Sequence, residues 1–169
     1  MTAFNLRRLR LRSGEHVRDE VEIELEPLVL GGEEYVPRPS PLRATLTITQ
    51  ATSGIVFELE LAVDLHGPCQ RCLTETSLSE HIHAREYQAA NAGVDEELRT
   101  PYLRDDRLDV DAWARDALAL QLPDKILCRP DCAGLCPVCG RDLNAEPHTH
   151  EELAADSRWA ALDELRGQL

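Results

Sequence analysis

Four cysteines fall within twelve residues, Cys128, Cys132, Cys136 and Cys139, and two more, Cys69 and Cys72, form a C-x2-C pair near mid-chain. Thiols at this density either cross-link or hold a metal, and the expected compartment decides between them. Arg7, Arg8, Arg10 and Arg12 stand where a secretory leader would need its apolar stretch, so the expectation is a cytoplasmic chain with reduced thiols and metal ligation. Cys136-Pro-Val-Cys-Gly140 has the form of a zinc knuckle, with proline stiffening the turn and glycine supplying the positive φ that closes the backbone around the ion. His148-Thr149-His150 follows and adds two imidazoles to six thiols, enough for two tetrahedral zinc sites, although one site is the expectation.

Connectivity is open at this level. The simplest closed site takes Cys128, Cys132, Cys136 and Cys139, although successive C-x3-C spacings strain a single tetrahedron. Cys136 and Cys139 can instead join His148 and His150, or meet Cys69 and Cys72 across the fold. Alone, Cys69 and Cys72 also admit a thiol-redox pair or a merely packed one. His16, His66, His81 and His83 show that a histidine here is not automatically a ligand. A catalytic zinc keeps one position open for water beside a general base. Glu151 and Glu152 follow the histidines, but this cluster has more ligands than one ion can use and no H-E-x-x-H, so the zinc reads as structural.

Alternation supplies the rest of the fold. Val21 to Leu25 alternates apolar and acidic residues, Leu42 to Gln50 places Leu42, Ala44, Leu46 and Ile48 on one face, and Ile55 to Leu65 places Ile55, Phe57, Leu59, Leu61, Val63 and Leu65 on one face. Thr52-Ser53-Gly54 joins the last two as an antiparallel hairpin. Thr76 to Ala84 alternates more weakly, and Glu86 to Arg107 lacks periodicity and reads as a loop. Asp109 can cap a helix carrying Val110, Trp113, Ala114, Ala117 and Leu118, broadened by Leu120 and Leu122 and stopped by Pro123. Asp156 can cap a second, with Trp159, Leu162 and Leu165 on one face.

The predicted fold is α+β: an antiparallel β-sheet or partly closed β-barrel with two short helices and a Cys/His zinc-knuckle segment. The predicted divisions are a β-rich core with one helix over 1–122, a Cys/His metal-binding segment over 123–153, and a C-terminal helix over 154–169 packing on the core, one domain overall. No apolar run approaches the ~18 residues that span a bilayer, so no membrane partner is expected.

The formal net charge is −13, which as a whole repels nucleic acid and excludes a duplex-DNA reader. Neither helix is basic, which places a zinc-bearing transcription regulator last. Basic proteins are the natural partners. Asp105, Asp106 and Asp109 are expected to be exposed and to offer a partner surface. Otherwise the sheet face with Glu58, Glu60 and Asp64, or the run from Arg7 to Arg12, takes that role, and the arginines would admit direct RNA contact.

Three segments carry a family resemblance: Cys69-Gln-Arg-Cys-Leu73 after an acidic strand, Leu127-Cys-Arg-Pro-Asp-Cys-Ala-Gly-Leu-Cys-Pro-Val-Cys-Gly-Arg-Asp-Leu-Asn144, and Asp156-Ser-Arg-Trp-Ala-Ala-Leu162. Together they resemble the YceD family, the large ribosomal RNA subunit accumulation proteins, from about Leu42 onward. Many members carry a cysteine pair where this chain has His148-Thr149-His150, and a proline where it has Ser157; either ligand type suits zinc. The resemblance implies a non-enzymatic factor for accumulation of large-subunit ribosomal RNA, often encoded beside a small zinc-bearing ribosomal protein. The implied partner is a large ribosomal subunit precursor or a basic ribosomal protein. The alternative is a thiol-redox or metal-dependent enzyme using Cys69 and Cys72.

Overall fold

The two best alternating segments become the centre of a sheet. In this computed structural model, which describes residues 3–91 and 98–150, β5 (Leu42–Gln50) and β6 (Gly54–Pro68) pair antiparallel from Ala44↔Leu61 to Gln50↔Ile55. The register puts Leu42, Ala44, Leu46 and Ile48 on the face shared by Phe57, Leu59, Leu61, Val63 and Leu65, and all nine are buried. Burying them is the main driving force for the sheet, at roughly 1.5–3 kcal/mol for each fully buried large side chain.

Around this hairpin, β2 (His16–Ile23) pairs with β5, and β7 (Glu75–Ala89) pairs with β6 from Gly54↔Ala89 to Pro68↔Glu75. β4 (Glu33–Arg38) meets β6 from Val36↔His66 to Arg38↔Asp64, and β3 (Leu28–Leu30) pairs with β4. Since β7 occupies one side of β6 throughout, β4 and β5 must lie end to end along the other. The Pro39-Ser40-Pro41 stretch separates them, with Pro37 on β4 itself.

The sheet is open rather than a partly closed barrel. It contains six strands, but the end-to-end placement makes it effectively about four rows wide, too narrow to close around a side-chain-filled interior. The free edge of β7 is met by a helix instead. Gln121 Nε2 donates to the His81 carbonyl at 2.8 Å and to the Glu80 carboxylate at 3.1 Å.

That helix, α1 (Val110–Gln121), is capped as its sequence predicts: Asp109 Oδ1 accepts from the Ala112 N–H at 3.1 Å. Val110, Trp113, Ala114 and Leu118 are buried, whereas Leu120 is 89% exposed and does not broaden the apolar stripe. Among the described residues α1 is the one α-helix, not one of two; the helix predicted from Asp156 lies outside them. No described helix is long and apolar enough to cross a membrane.

The described parts of the stretch from Glu86 to Arg107 contain more strand than its lack of periodicity suggests. β7 runs on to Ala89, and β8 (Leu103–Arg104) and β9 (Arg107–Asp109) form a hairpin joined to β1 (Ala3–Asn5). Its two loop residues, Asp105 at φ +50° and Asp106 at φ +62°, have the paired left-handed conformations that match the strand twist in a two-residue turn. Asp106 also accepts from Arg7 Nε at 3.2 Å. Asp105 and Asp106 are exposed as expected and make the turn, while Asp109 is half-buried and caps α1. Asp109→Ala is expected to cost about 1 kcal/mol by losing the cap, read as a lower denaturant midpoint at unchanged slope.

The chain divides into two compact units, residues 1–132 and 133–169. The boundary falls inside the segment that the sequence groups as 123–153. All elements above belong to the first unit, where Ile126 extends the core at 2% exposure.

Candidate metal centres

The eight candidate ligands form two sets of four, one in each unit: Cys69, Cys72, Cys128 and Cys132, and Cys136, Cys139, His148 and His150, with the ligand atoms in each set within 4.8 Å of one another. The simplest sequence grouping, four consecutive cysteines around one ion, is thereby corrected. The C-x3-C-x3-C run is split after Cys132, and each half finds its second pair elsewhere.

The first set grows out of the sheet. β6 and β7 remain paired to Pro68↔Glu75, so the six intervening residues form a tight turn with Cys69 and Cys72 on it. Cys69 N–H donates to the Thr74 carbonyl at 2.8 Å, Leu73 N–H donates to the Cys69 carbonyl at 2.9 Å, and Leu73 takes φ +61° to complete the reversal. The other pair is brought in by backbone docking: Gln70 N–H donates to the Ile126 carbonyl at 2.9 Å, and Arg71 Nη1 donates to the Cys132 carbonyl at 2.7 Å.

Cys69 Sγ then lies 3.8 Å from Cys132 Sγ, and Cys72 Sγ lies 3.6 Å from Cys128 Sγ. Both separations far exceed the ~2.05 Å of a disulfide. Four sulfurs each ~2.3 Å from a zinc at the centre of a regular tetrahedron would be about 3.8 Å apart. The donor set therefore fits a closed four-thiolate zinc site. Cys69, Cys72 and Cys132 are 0%, 5% and 1% exposed, leaving only Cys128 at the surface.

The electrostatics favour a bound cation. Burial raises the Cys69 thiol, but the backbone N–H groups of Cys72, Arg71 and Cys128 outweigh it and bring it down to about 6. Cys72 is lowered by the Thr74 hydroxyl and N–H, the hydroxyl lying 2.9 Å from its sulfur. Cys128 moves the other way, raised by desolvation and then by the sulfurs of Cys72, Cys132 and Cys69. Four adjacent thiols cannot all ionise against one another, and a dication removes that conflict.

The second set is more local. Cys136 N–H donates to the Arg141 carbonyl and Gly140 N–H to the Cys136 carbonyl, both at 2.8 Å, with Gly140 at φ +73° as the knuckle predicts. The N–H of Cys139, then that of Val138 against the opposing effect of burial, lowers Cys136 to about 6. His148 Nδ1 lies 2.7 Å from the Glu146 carbonyl, which can only accept, so Nδ1 carries the proton and Nε2 presents its lone pair 3.1 Å from Cys139 Sγ. That carbonyl, and after it Cys136, raises the His148 pKa. A backbone acceptor behind a histidine is the usual means of aiming its other nitrogen at a metal. Cys136 is buried, Cys139 and His150 are exposed, and His148 is between.

Sequence reasoning missed Arg71, Thr74 and Tyr35 as supports. Tyr35 is 0% exposed, and its hydroxyl donates to the Pro68 carbonyl at 2.6 Å, bracing the peptide that leads into Cys69. Arg71 and Thr74 lie within two residues of Cys72, a proximity that marks them as turn residues. Tyr35 gives no such signal.

A family model described as large ribosomal RNA subunit accumulation protein YceD matches residues 57–166, a span containing all eight ligands. An uncharacterised protein of Mycobacterium bovis is 35% identical over 127 residues, covering 72% of this chain and 60% of the relative. An uncharacterised protein of Mycobacterium tuberculosis matches at the same identity and coverage. One of Mycobacterium leprae is 27% identical over 133 residues, covering 75% of this chain and 59% of the relative. The chain thus spans about 60% of the length of these relatives. No solved structure matches.

Proposed function

We propose, since the chain belongs to the YceD family of large ribosomal RNA subunit accumulation proteins, that it is a cytoplasmic, non-enzymatic factor acting in assembly of the large ribosomal subunit, with zinc in a structural role. The family match across both ligand sets carries this reading. The first set supports a structural ion, because four sulfurs complete a tetrahedron and leave no position for a reacting water. Depleting the chain from growing cells is expected to lower large-subunit ribosomal RNA relative to small-subunit RNA, and an unchanged ratio refutes the reading.

The redox alternative has one point in its favour, the lowered pKa of Cys69. Against it, Cys69 is fully buried and its sulfur faces Cys132 at 3.8 Å. A thiol titration separates the two: structural zinc protects these thiols until a chelator is added, whereas a catalytic pair reacts in the loaded protein.

The direct partner on this reading is a basic ribosomal protein, free or on the precursor particle, attracted by the chain's −13 charge. Its docking surface is the solvent face of the sheet carrying Glu58, Glu60 and Asp64. Glu60 already pairs with Arg18 at 3.5 Å and His83 at 3.6 Å, and Glu58 with Arg85 at 3.9 Å. Exposed pairs of this kind contribute only about 0–1 kcal/mol each, so the face can be altered without losing the fold. Changing Glu58, Glu60 and Asp64 together to Lys is expected to slow association and flatten its salt dependence, measured by stopped-flow mixing with a basic ribosomal protein. Unchanged rates would exclude this face, and binding of ribosomal RNA alone that weakens steeply with salt would move the contact to the arginines at Arg7–Arg12.

A further inference from the structure

The two ligand sets differ in every property that controls how easily an ion leaves. In the first, the ligands come from two segments more than fifty residues apart, one fixed by the paired ends of β6 and β7, the other held by the Gln70–Ile126 and Arg71–Cys132 hydrogen bonds. Three of its four sulfurs are shut away from water. An incoming chelator has only the Cys128 side to approach from, and freeing any other ligand requires a strand end or the 126–132 segment to move.

In the second, all four ligands lie within fifteen consecutive residues, Cys136 to His150. Cys139 and His150 are exposed, and the Leu135↔Asp142 bridge is the only strand-like pairing among the unit's described residues. His150 can swing away without disturbing any strand among the described residues, and solvent then reaches the ion directly. The Glu146 carbonyl supports His148, whereas among the described residues no backbone carbonyl plays that part for His150.

We propose that the chain carries two metal centres of unequal permanence: a four-thiolate ion locked into the end of the sheet, and a two-thiolate, two-imidazole ion that exchanges with free zinc around the protein. This deepens the structural-zinc reading and rests on it. The first unit keeps its fold when the second centre empties, because its core and four sulfurs are complete without residues 133–150. The second unit is then ordered or not according to how much zinc is available, so that the same chain presents different surfaces in zinc-replete and zinc-starved conditions.

The experiment loads the full chain with zinc, measures metal per chain, and follows release to a chromophoric chelator. Two ions are expected, leaving in separate phases whose rates differ ~10-fold or more, as expected where one site lacks the supporting contacts of the other. His150→Ala is expected to accelerate or remove the fast phase alone. Cobalt substitution gives a second readout on the unaltered chain. The ion that leaves last should show the stronger thiolate-to-metal charge-transfer absorption, since it has four sulfurs. Release of both ions in a single phase, or a last-leaving ion with the weaker absorption, overturns the inequality while leaving structural zinc intact. A fully folded chain that binds no zinc removes the underlying reading instead.

Discussion

Cys69→Ser is expected to remove one metal ion per chain and to lower the unfolding midpoint of the first unit by on the order of 10 °C. A closed thiolate zinc site contributes about 10–16 kcal/mol of apparent binding free energy at neutral pH, and a small share of that, passed to the fold, produces such a shift. Serine cannot supply the missing thiolate, and its shorter C–O bond leaves a polar atom in a position that is 0% exposed. The damage should be directional. Residues 126–132 are held by Gln70, Arg71 and the metal, so they should detach and expose Ile126, now 2% exposed. Pairing of β5 with β6 rests on its own buried face and should persist. Hydrogen exchange resolved along the chain checks this: fast exchange at Gln70 with continued protection at Leu46 and Leu59 is the expected pattern. Equal loss of protection in both places would mean that the metal holds the whole sheet, and an unchanged midpoint would mean that it holds nothing.

The contrast between the two parts of that pattern follows what could be read from residues alone. Strand periodicity is a local property, and β5 appears at the predicted limits, with α1 ending at Gln121, two residues before the predicted stop at Pro123. Ligand grouping is a property of three-dimensional proximity. Adjacency favoured Cys128, Cys132, Cys136 and Cys139 as one site, but a tight turn aims two sulfurs at one point and no more. Counting by turns gives 69/72, 128/132, 136/139 and 148/150, four pairs that must combine in twos. The fold decides the combination by docking the Ile126 carbonyl on Gln70 N–H. The short strands β3, β4 and β8 were obscured because length and proline carry little information there: β4 contains Pro37, and β8 has two residues. The exposure expected of the acidic trio holds for Asp105 and Asp106, while Asp109 is half-buried as the helix cap; what charge alone did not reveal is that the two exposed aspartates form a left-handed turn.

A second large effect is expected at Gly67, which connects the sheet to the first metal centre. Gly67 pairs with Thr76 in the β6–β7 ladder, and a Cβ placed on it would lie 2.5 Å from Tyr35 Cδ1 and 2.7 Å from the Glu34 carbonyl oxygen. Both separations are well inside van der Waals contact. One neighbour is backbone, and the other is a ring that is 0% exposed and closely packed, so neither can yield cheaply. Gly67→Ala must therefore push β4 away from β6, at a cost of about 2–3 kcal/mol from overpacking. Moving Tyr35 also breaks its 2.6 Å hydrogen bond to the Pro68 carbonyl, so the peptide entering Cys69 loses its brace. Metal affinity at the four-thiolate site should then fall about 10-fold or more, the usual effect of removing support behind a ligand. Tyr35→Phe separates the two contributions, since it keeps the ring and deletes only the hydroxyl. It is expected to cost about 1 kcal/mol and to weaken zinc retention at the first centre without changing release from the second. If Gly67→Ala were as stable as the parent, β4 would have room that the close approach of Tyr35 denies it. If Tyr35→Phe retained zinc as tightly as the parent, the Pro68 contact would be packing alone, and the position of Cys69 would depend on the turn from Cys69 to Thr74.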